Sequence, residues 1–224
     1  MMREHHIAVT RTARYYTLGD PDGQPLELWY VCHGYAQLAS RFLRRFVPLD
    51  DGSRLIVAPE ALSRFYVDRP DRSHAQSPVG ASWMTREDRL CEIDDYVRFL
   101  DALHARLSES LSRARPRITV LGFSQGVATA CRWATSGSLR PDRLILWGGL
   151  VPPDLDLDAH ADVLRAMEIV SFAGDSDPHV PPSAIAAQRA RLARHGLTAR
   201  EVTYEGGHEL RGQLLTFEST ESGH

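Results

Sequence analysis

The feature that most constrains this chain is a set of short, almost unbroken apolar runs. They are Leu55-Ile56-Val57-Ala58, Ile118-Thr119-Val120-Leu121, Leu144-Ile145-Leu146-Trp147 and Ile169-Val170-Ser171-Phe172, each closed by Gly or Pro within a few residues. A strand with one face in water alternates apolar and polar residues; these runs do not alternate, so both of their faces must be covered. Strand-like segments also occupy residues 7–18, 26–32 and 199–204, which are rich in Val, Thr, Tyr and Leu. Helical periodicity fills the gaps. From Arg86 onward, Leu90, Ile93, Val97, Leu100, Leu107 and Leu111 recur at helical spacing, with Thr85 and Asp88 resembling a capping box. A second helix is expected from Ser124 to about Trp133, and a third from Ser183 to Arg194, ended by Gly196. Strands alternating with helices predict an α/β fold, with a mostly parallel central sheet and helices on both faces.

Composition narrows the function. The chain has 224 residues, 43% of them hydrophobic, which suits one domain over 1–224 with a sizeable core and no separate lid domain. A net charge of −3 offers no basic field for nucleic acid or anionic lipid. All 26 basic residues are arginine, which excludes Schiff-base lysines and the P-loop lysine. Cys32, Cys91 and Cys131 fit neither a disulfide framework nor a zinc site and read as reduced thiols. The start, MMREHHIAVT, lacks an apolar signal region, and no run approaches a membrane span. A soluble, cytoplasmic protein is the expectation. Residues 59–84 read as a long irregular loop, and the polar segment 217–224 as a frayed tail.

One motif carries chemistry. Gly122-Phe123-Ser124-Gln125-Gly126 spells G-x-S-x-G, a pattern that chance supplies on the order of once in ten chains of this size. Context decides: it follows the apolar run ending at Leu121 and precedes the helix-compatible stretch 127–134, the strand, turn and helix arrangement of a nucleophile elbow. There the serine sits on a strained turn, small residues flank it, and the Gln125 N–H faces any oxyanion formed on an attacked carbonyl. The Gln125 side chain is incidental to the motif.

A serine hydroxyl needs a base, and the base needs an acid to orient it. After the run ending at Phe172 comes Ala173-Gly174-Asp175-Ser176-Asp177-Pro178-His179-Val180-Pro181, and after the last strand comes Glu205-Gly206-Gly207-His208. Both Asp175 and Asp177 are candidate acids. His208 follows a Gly-Gly turn that can bring the chain back over the sheet, whereas His179 lies too close in sequence to either acid to serve as the base. The order Ser, Asp, His is that of the α/β hydrolases.

With these motifs, and with Cys32-His33-Gly34-Tyr35 and Ala58-Pro59-Glu60 after the earlier strands, the chain resembles the phospholipase/carboxylesterase branch of the α/β-hydrolase superfamily, which includes the acyl-protein thioesterases. The matching motifs span residues 26–210. The resemblance implies Ser124 as nucleophile, Asp177 as acid and His208 as base, the acid standing four residues before the Pro of Val180-Pro181. It also implies an oxyanion hole of the Tyr35 and Gln125 backbone N–H groups, shaped by His33 and Gly34. No metal and no organic cofactor is called for. The implied activity is hydrolysis of carboxylic esters or thioesters of small to medium acyl groups. Alternatives are a non-catalytic binding protein on a hydrolase scaffold, or a lactone or dienelactone hydrolase.

Residues 59–84 depart from that family's pattern. Within them Phe65, Tyr66, Trp83 and Met84 either line an acyl or alcohol pocket or pin the loop to the domain. The stretch Asp154-Leu155-Asp156-Leu157-Asp158, with His160, reads as a solvated loop rather than a metal site. The partner implied is a small-molecule ester, with a homodimer possible and no nucleic acid.

Overall fold

A computed structural model describes residues 1–68, 76–111 and 115–220, with side chains left out at 110 and 217–220. Nine strands are described: β1 Tyr15–Leu18, β2 Glu27–Cys32, β3 Arg54–Pro59, β4 Ser63–Tyr66, β5 Val79–Ser82, β6 Arg117–Phe123, β7 Arg143–Trp147, β8 Glu168–Gly174 and β9 Arg200–Tyr204. Seven form one sheet in the order β1-β3-β2-β6-β7-β8-β9. Only β1 runs antiparallel to its neighbour, and every other pairing in this sheet is parallel.

The unbroken apolar runs are explained by where successive residues point. Leu28, Tyr30, Val57, Val120, Leu144, Leu146 and Ile169 join a core on one face, with Leu100 of α2 (Arg89–Ser110), Trp133 of α3 (Gln125–Ser136), Leu164 of α4 (Ala161–Arg165) and Leu192 of α5 (Pro182–Arg194). Trp29, Val31, Ile56, Leu121, Ile145, Trp147, Val170 and Phe172 join a second core on the other face. It includes Phe42 of α1 (Ala39–Leu43), Phe46 of the 3₁₀ turn Arg44–Leu49 and Leu215 of α6 (Gln213–Thr220). Alternate residues of each strand thus serve opposite layers, and both faces are covered by apolar side chains, with Thr119 and Ser171 the buried polar residues within the runs.

The sheet carries a reversal at its centre. From β2 the chain crosses to β3 on one side, and β6 then returns to pair with β2 on the other. At such a point the crossover helices leave to opposite faces, and a crevice opens beyond the carboxyl ends of the two strands. That crevice lies between the segment after Cys32 and the segment after Phe123.

Four expectations are corrected. The strand expected over 7–18 is only Tyr15–Leu18; Ile7 and Val9 are exposed, because the arm before β1 has no sheet partner to bury it. Thr85 does not pair with Asp88: its N–H and hydroxyl both reach Glu92, and Asp88 adopts a left-handed conformation without a side-chain cap. The irregular loop contains the antiparallel hairpin β4–β5, in register from Ser63 with Ser82 to Tyr66 with Val79. α6 takes up residues 213–220 of the C-terminal segment, and 221–224 lie outside the described residues.

One buried charge ties the layers together near the crevice. The Glu60 carboxylate, immediately after β3, accepts Arg14 Nε at 2.6 Å, Arg64 Nη1 at 3.1 Å and the Ala39 N–H at 3.3 Å. Burial alone would raise its pKa, but the two guanidiniums more than offset this and hold it below the ordinary carboxylate value. The unfolded chain therefore binds this proton more tightly than the folded one. The stabilisation is complete above the ordinary glutamate value and disappears as pH falls through the depressed one. Glu60→Gln is expected to lower the unfolding free energy at pH 7 by about 1–3 kcal/mol, with a smaller gap at pH 3. Urea titrations of both proteins at the two pH values test this; a gap that is constant with pH contradicts it.

Candidate active site

Ser124 lies between β6 and α3 with φ +54° and ψ −118°, one of three described non-glycine residues at positive φ. Its amide donates to the Trp147 carbonyl at 2.9 Å, which fixes the turn against the neighbouring strand. The two motif glycines answer specific contacts. A Cβ on Gly122 would lie 2.3 Å from the Gly126 carbonyl oxygen, and one on Gly126 would lie 2.2 Å from the Cys32 carbonyl oxygen. Only hydrogen fits at either place, so the start of α3 can press onto the end of β2 and hold Ser124 in a conformation costing about 1–3 kcal/mol.

The later strands deliver the other groups to the same edge of the sheet. Gly174 ends β8 and the chain turns to Asp177; Tyr204 ends β9 and the chain turns through Gly206 and Gly207 to His208. His208 Nε2 stands 2.9 Å from Ser124 Oγ, and His208 Nδ1 stands 2.7 Å from Asp177 Oδ2. The Asp177 side chain is fully buried, and its other oxygen accepts the His179 N–H at 2.8 Å. Of the two acids left open by the residues alone, it is Asp177 that meets His208. Asp175 is exposed and accepts the Gly206 N–H at 3.0 Å, bracing the turn that leads to the histidine. His179 is exposed beside the site, its ring 4.6 Å from that of His208.

The turn after β2 closes the other side. A Cβ on Gly34 would come within 3.3 Å of Ser124 Cβ, so this loop lies directly against the serine. Gln125, as the first residue of α3, has no acceptor within the helix for its amide. Among the described residues no acceptor pairs with the Tyr35 amide either. His33, fully buried, fixes the loop from below: its Nε2 accepts the Ala61 N–H at 3.1 Å, which leaves Nδ1 to donate to the Gly34 carbonyl at 2.8 Å. Burial keeps the ring's pKa below its ordinary value, so the neutral form is favoured.

The hairpin β4–β5 braces this loop, which the sequence did not reveal. Ala36 N–H donates to the Ala81 carbonyl at 3.0 Å and Ala81 N–H to the Gln37 carbonyl at 3.1 Å, while a Cβ on Gly80 would strike Ala36 at 2.6 Å. The Gln125 side chain is not incidental: its Oε1 accepts the Trp83 N–H at 3.1 Å and its Nε2 donates to the Met84 carbonyl at 2.8 Å. It clasps the end of the hairpin to the first turn of α3.

A cleft of about 360 Å³ opens over Ser124 and His208, walled in part by Gly34, Tyr35, Phe123 and Leu210. The four loop residues for which pocket lining and pinning were both open are not among those lining this cleft. Trp83 is buried and donates through Nε1 to the His33 carbonyl at 2.8 Å. Phe65 stacks on the Tyr35 ring at 5.2 Å, Met84 Sδ meets Arg132 Nη1 at 3.5 Å, and Tyr66 is exposed. Trp83 and Met84 pin the loop to the domain, and the cleft is walled by other side chains.

Cys32, at the end of β2, is buried and its thiol pKa is pushed far up by desolvation, the state of a core residue. The acidic stretch 154–158 is a loop in which Leu155 and Leu157 are buried and Asp154 pairs with Arg89 and Arg132. Among the described residues one group of metal-ligating type lies together, His6, Asp88 and Cys91, away from the cleft walls. No described helix is long and apolar enough to cross a membrane.

Gly148 is a site residue that the sequence reading missed. It follows β7 at φ +60°, and a Cβ there would lie 3.1 Å from His208 Cε1 and 3.5 Å from Asp177 Oδ2. The apolar run ending in Trp147-Gly148-Gly149 carried the signal, as a glycine pair at the carboxyl end of a central strand. Gly148→Ala is expected to cost about 1–2 kcal/mol of stability for a Cβ in the left-handed region. It should also shift or abolish the low-field proton resonance of the His208–Asp177 hydrogen bond. Urea denaturation and proton NMR check both, and a wild-type spectrum at wild-type stability would contradict the close approach.

No family model and no curated protein matches this chain. Among solved structures it is similar to esterase PE8, at 21% identity and a TM-score of 0.67, with 94% of this chain and 99% of that one covered. It is similar to acyl-protein thioesterase 2 of Zea mays at 18% identity and a TM-score of 0.70, with the same coverage. A phospholipase/carboxylesterase from Dyadobacter fermentans DSM 18053 follows at 20% identity and a TM-score of 0.60, with 95% and 97% covered. The chain has the α/β-hydrolase fold.

Proposed function

We propose that this chain is a serine hydrolase of the phospholipase/carboxylesterase type, cleaving carboxylic esters or thioesters of small to medium acyl groups. The observation that carries the reading is the continuous hydrogen-bond path from Ser124 Oγ through His208 to the buried Asp177 carboxylate, at 2.9 and 2.7 Å. The path ends on a serine held at positive φ, beside two amides for which the described residues provide no acceptor. Support also comes from the names of the similar structures, an esterase, an acyl-protein thioesterase and a phospholipase/carboxylesterase. A cleft of about 360 Å³ suits a small or medium acyl group.

In this reading His208 Nε2 takes the hydroxyl proton as Ser124 Oγ attacks the ester carbonyl. Asp177 holds the ring with Nδ1–H toward itself and stabilises the imidazolium that forms. The carbonyl oxygen becomes an oxyanion and is met by the Tyr35 and Gln125 N–H groups, the latter at the positive end of α3. Collapse of the tetrahedral intermediate breaks the bond to the alcohol or thiol, which leaves with the proton from His208. Water then adds to the acyl-enzyme by the same steps in reverse, freeing the acid and restoring Ser124. No step calls for a metal or an organic cofactor.

Ser124→Ala is expected to lower kcat for a p-nitrophenyl short-chain ester by on the order of 10⁴-fold or more, with the folding transition retained. Hydrolysis at the wild-type rate would remove Ser124 from the chemistry. The two aspartates give an independent check. Asp177→Asn should cost about 10⁴-fold in kcat through the wrong histidine tautomer. Asp175→Asn weakens one hydrogen bond to a turn and should cost less than about tenfold. Equal losses would contradict the assignment of the acid.

A further inference from the structure

The wall of the cleft carries charge that the proposed ester chemistry leaves unused. Arg45 is the second residue of the 3₁₀ turn Arg44–Leu49, and its carbonyl oxygen packs so closely on Gly212 that a Cβ there would lie 1.9 Å away. Its guanidinium donates through Nη1 to the Leu210 carbonyl at 3.1 Å, two residues beyond His208. The backbone of Arg45 is thereby fixed against Gly212 and its exposed guanidinium is held by one hydrogen bond, and Arg45 lines the same cleft as Ser124 and His208. One of its five donors is used on a neutral carbonyl, and among the described residues no carboxylate pairs with it. The other charged group of the wall, Glu209, is paired with an arginine: its Oε1 accepts Arg211 Nε at 2.8 Å and Arg211 Nη2 at 2.5 Å. Among the described residues the cleft wall therefore presents an arginine without an ion-pair partner, while its one lining carboxylate is paired with Arg211.

We propose that Arg45 recognises an anionic group, a carboxylate or a phosphate, carried by the ester substrate. The inference rests on the reading of Ser124 as an esterase nucleophile and adds the substrate class to it. A planar guanidinium matches either anion through two parallel hydrogen bonds, and its remaining donors are free to make them. A neutral ester makes no use of them. For an aryl half-ester of a dicarboxylic acid, the Ser124 Oγ–acyl bond forms, the bond to the aryl oxygen breaks, and the phenol departs with the proton from His208. Water then cleaves the acyl-serine bond and frees the diacid, whose remote carboxylate stays on Arg45 throughout.

The test compares kcat/KM for three p-nitrophenyl esters of similar chain length, after subtraction of the enzyme-free rate. They are the hemiadipate, an acyl ester ending in a phosphonate, and the neutral hexanoate; wild type, Arg45→Gln and Arg45→Lys are measured with each. Wild type should prefer at least one anionic ester over the hexanoate by about tenfold, and which one it prefers separates carboxylate from phosphate recognition. The ratio should fall to near one in Arg45→Gln, be partly kept in Arg45→Lys, and shrink when ionic strength is raised to about 1 M. Because the readout is a ratio between substrates, a merely structural role of the Arg45–Leu210 contact would lower all three rates and leave the ratio alone. A wild-type ratio near one, or a ratio unmoved by Arg45→Gln, overturns the proposal while hexanoate hydrolysis leaves the esterase reading standing. Failure to hydrolyse any of the three overturns both.

Discussion

The rest of the site depends on one close approach, that of the first turn of α3 onto the carboxyl end of β2. Gly126 meets the Cys32 carbonyl with no room for a Cβ, and Gly122 meets Gly126 in the same way. That contact holds Ser124 at φ +54° and brings the Gln125 amide and the Gly34–Tyr35 turn to one point. A larger residue at either glycine would separate helix from strand, and the serine would relax toward an ordinary backbone conformation. The strain is sustained by the packing around it: both neighbouring strands are buried on both faces, and their layers do not yield easily.

Every other group arrives by the geometry of parallel strands. β2, β6, β7, β8 and β9 all end on one edge of the sheet, and the turns that follow them carry Tyr35, Ser124, Gly148, Asp177 and His208. The sheet supplies position, and the loops supply chemistry. The hairpin β4–β5 adds a brace that parallel strands cannot provide, because the turn after β2 has no neighbouring strand to hydrogen-bond. Gly80, Ala81 and Gln125 fasten that turn from outside, while His33 and Trp83 hold it from below.

Much of this was legible in the sequence because it rests on local pattern. The apolar runs mark strands buried on two faces, and the G-x-S-x-G segment with its flanking strand and helix marks the elbow. The choice between Asp175 and Asp177 was not decided by spacing, since both follow the same strand; burial separates them, and burial belongs to the fold. The hairpin was missed for a related reason: Ser63–Tyr66 and Val79–Ser82 are short and partly polar, and their pairing is fixed by contact with Ala36 rather than by their own periodicity. The arm before β1 was over-read because β-propensity describes a surface ready to be covered, and nothing covers Ile7 or Val9. For Phe65, Tyr66, Trp83 and Met84 the residues alone left pocket lining and pinning of the loop open, because aromatic and sulfur side chains serve pockets and cores alike.

The central claim is that Ser124, Tyr35 and Gln125 converge on a single reacting carbonyl. The most direct measurement is a crystal structure of the protein after reaction with an alkyl fluorophosphonate, whose phosphoryl oxygen stands where the oxyanion would form. The account predicts phosphorus bonded to Ser124 Oγ, with that oxygen about 3 Å from the amide nitrogens of both Tyr35 and Gln125. An adduct on another residue, or a phosphoryl oxygen turned to solvent away from the two amides, would contradict it.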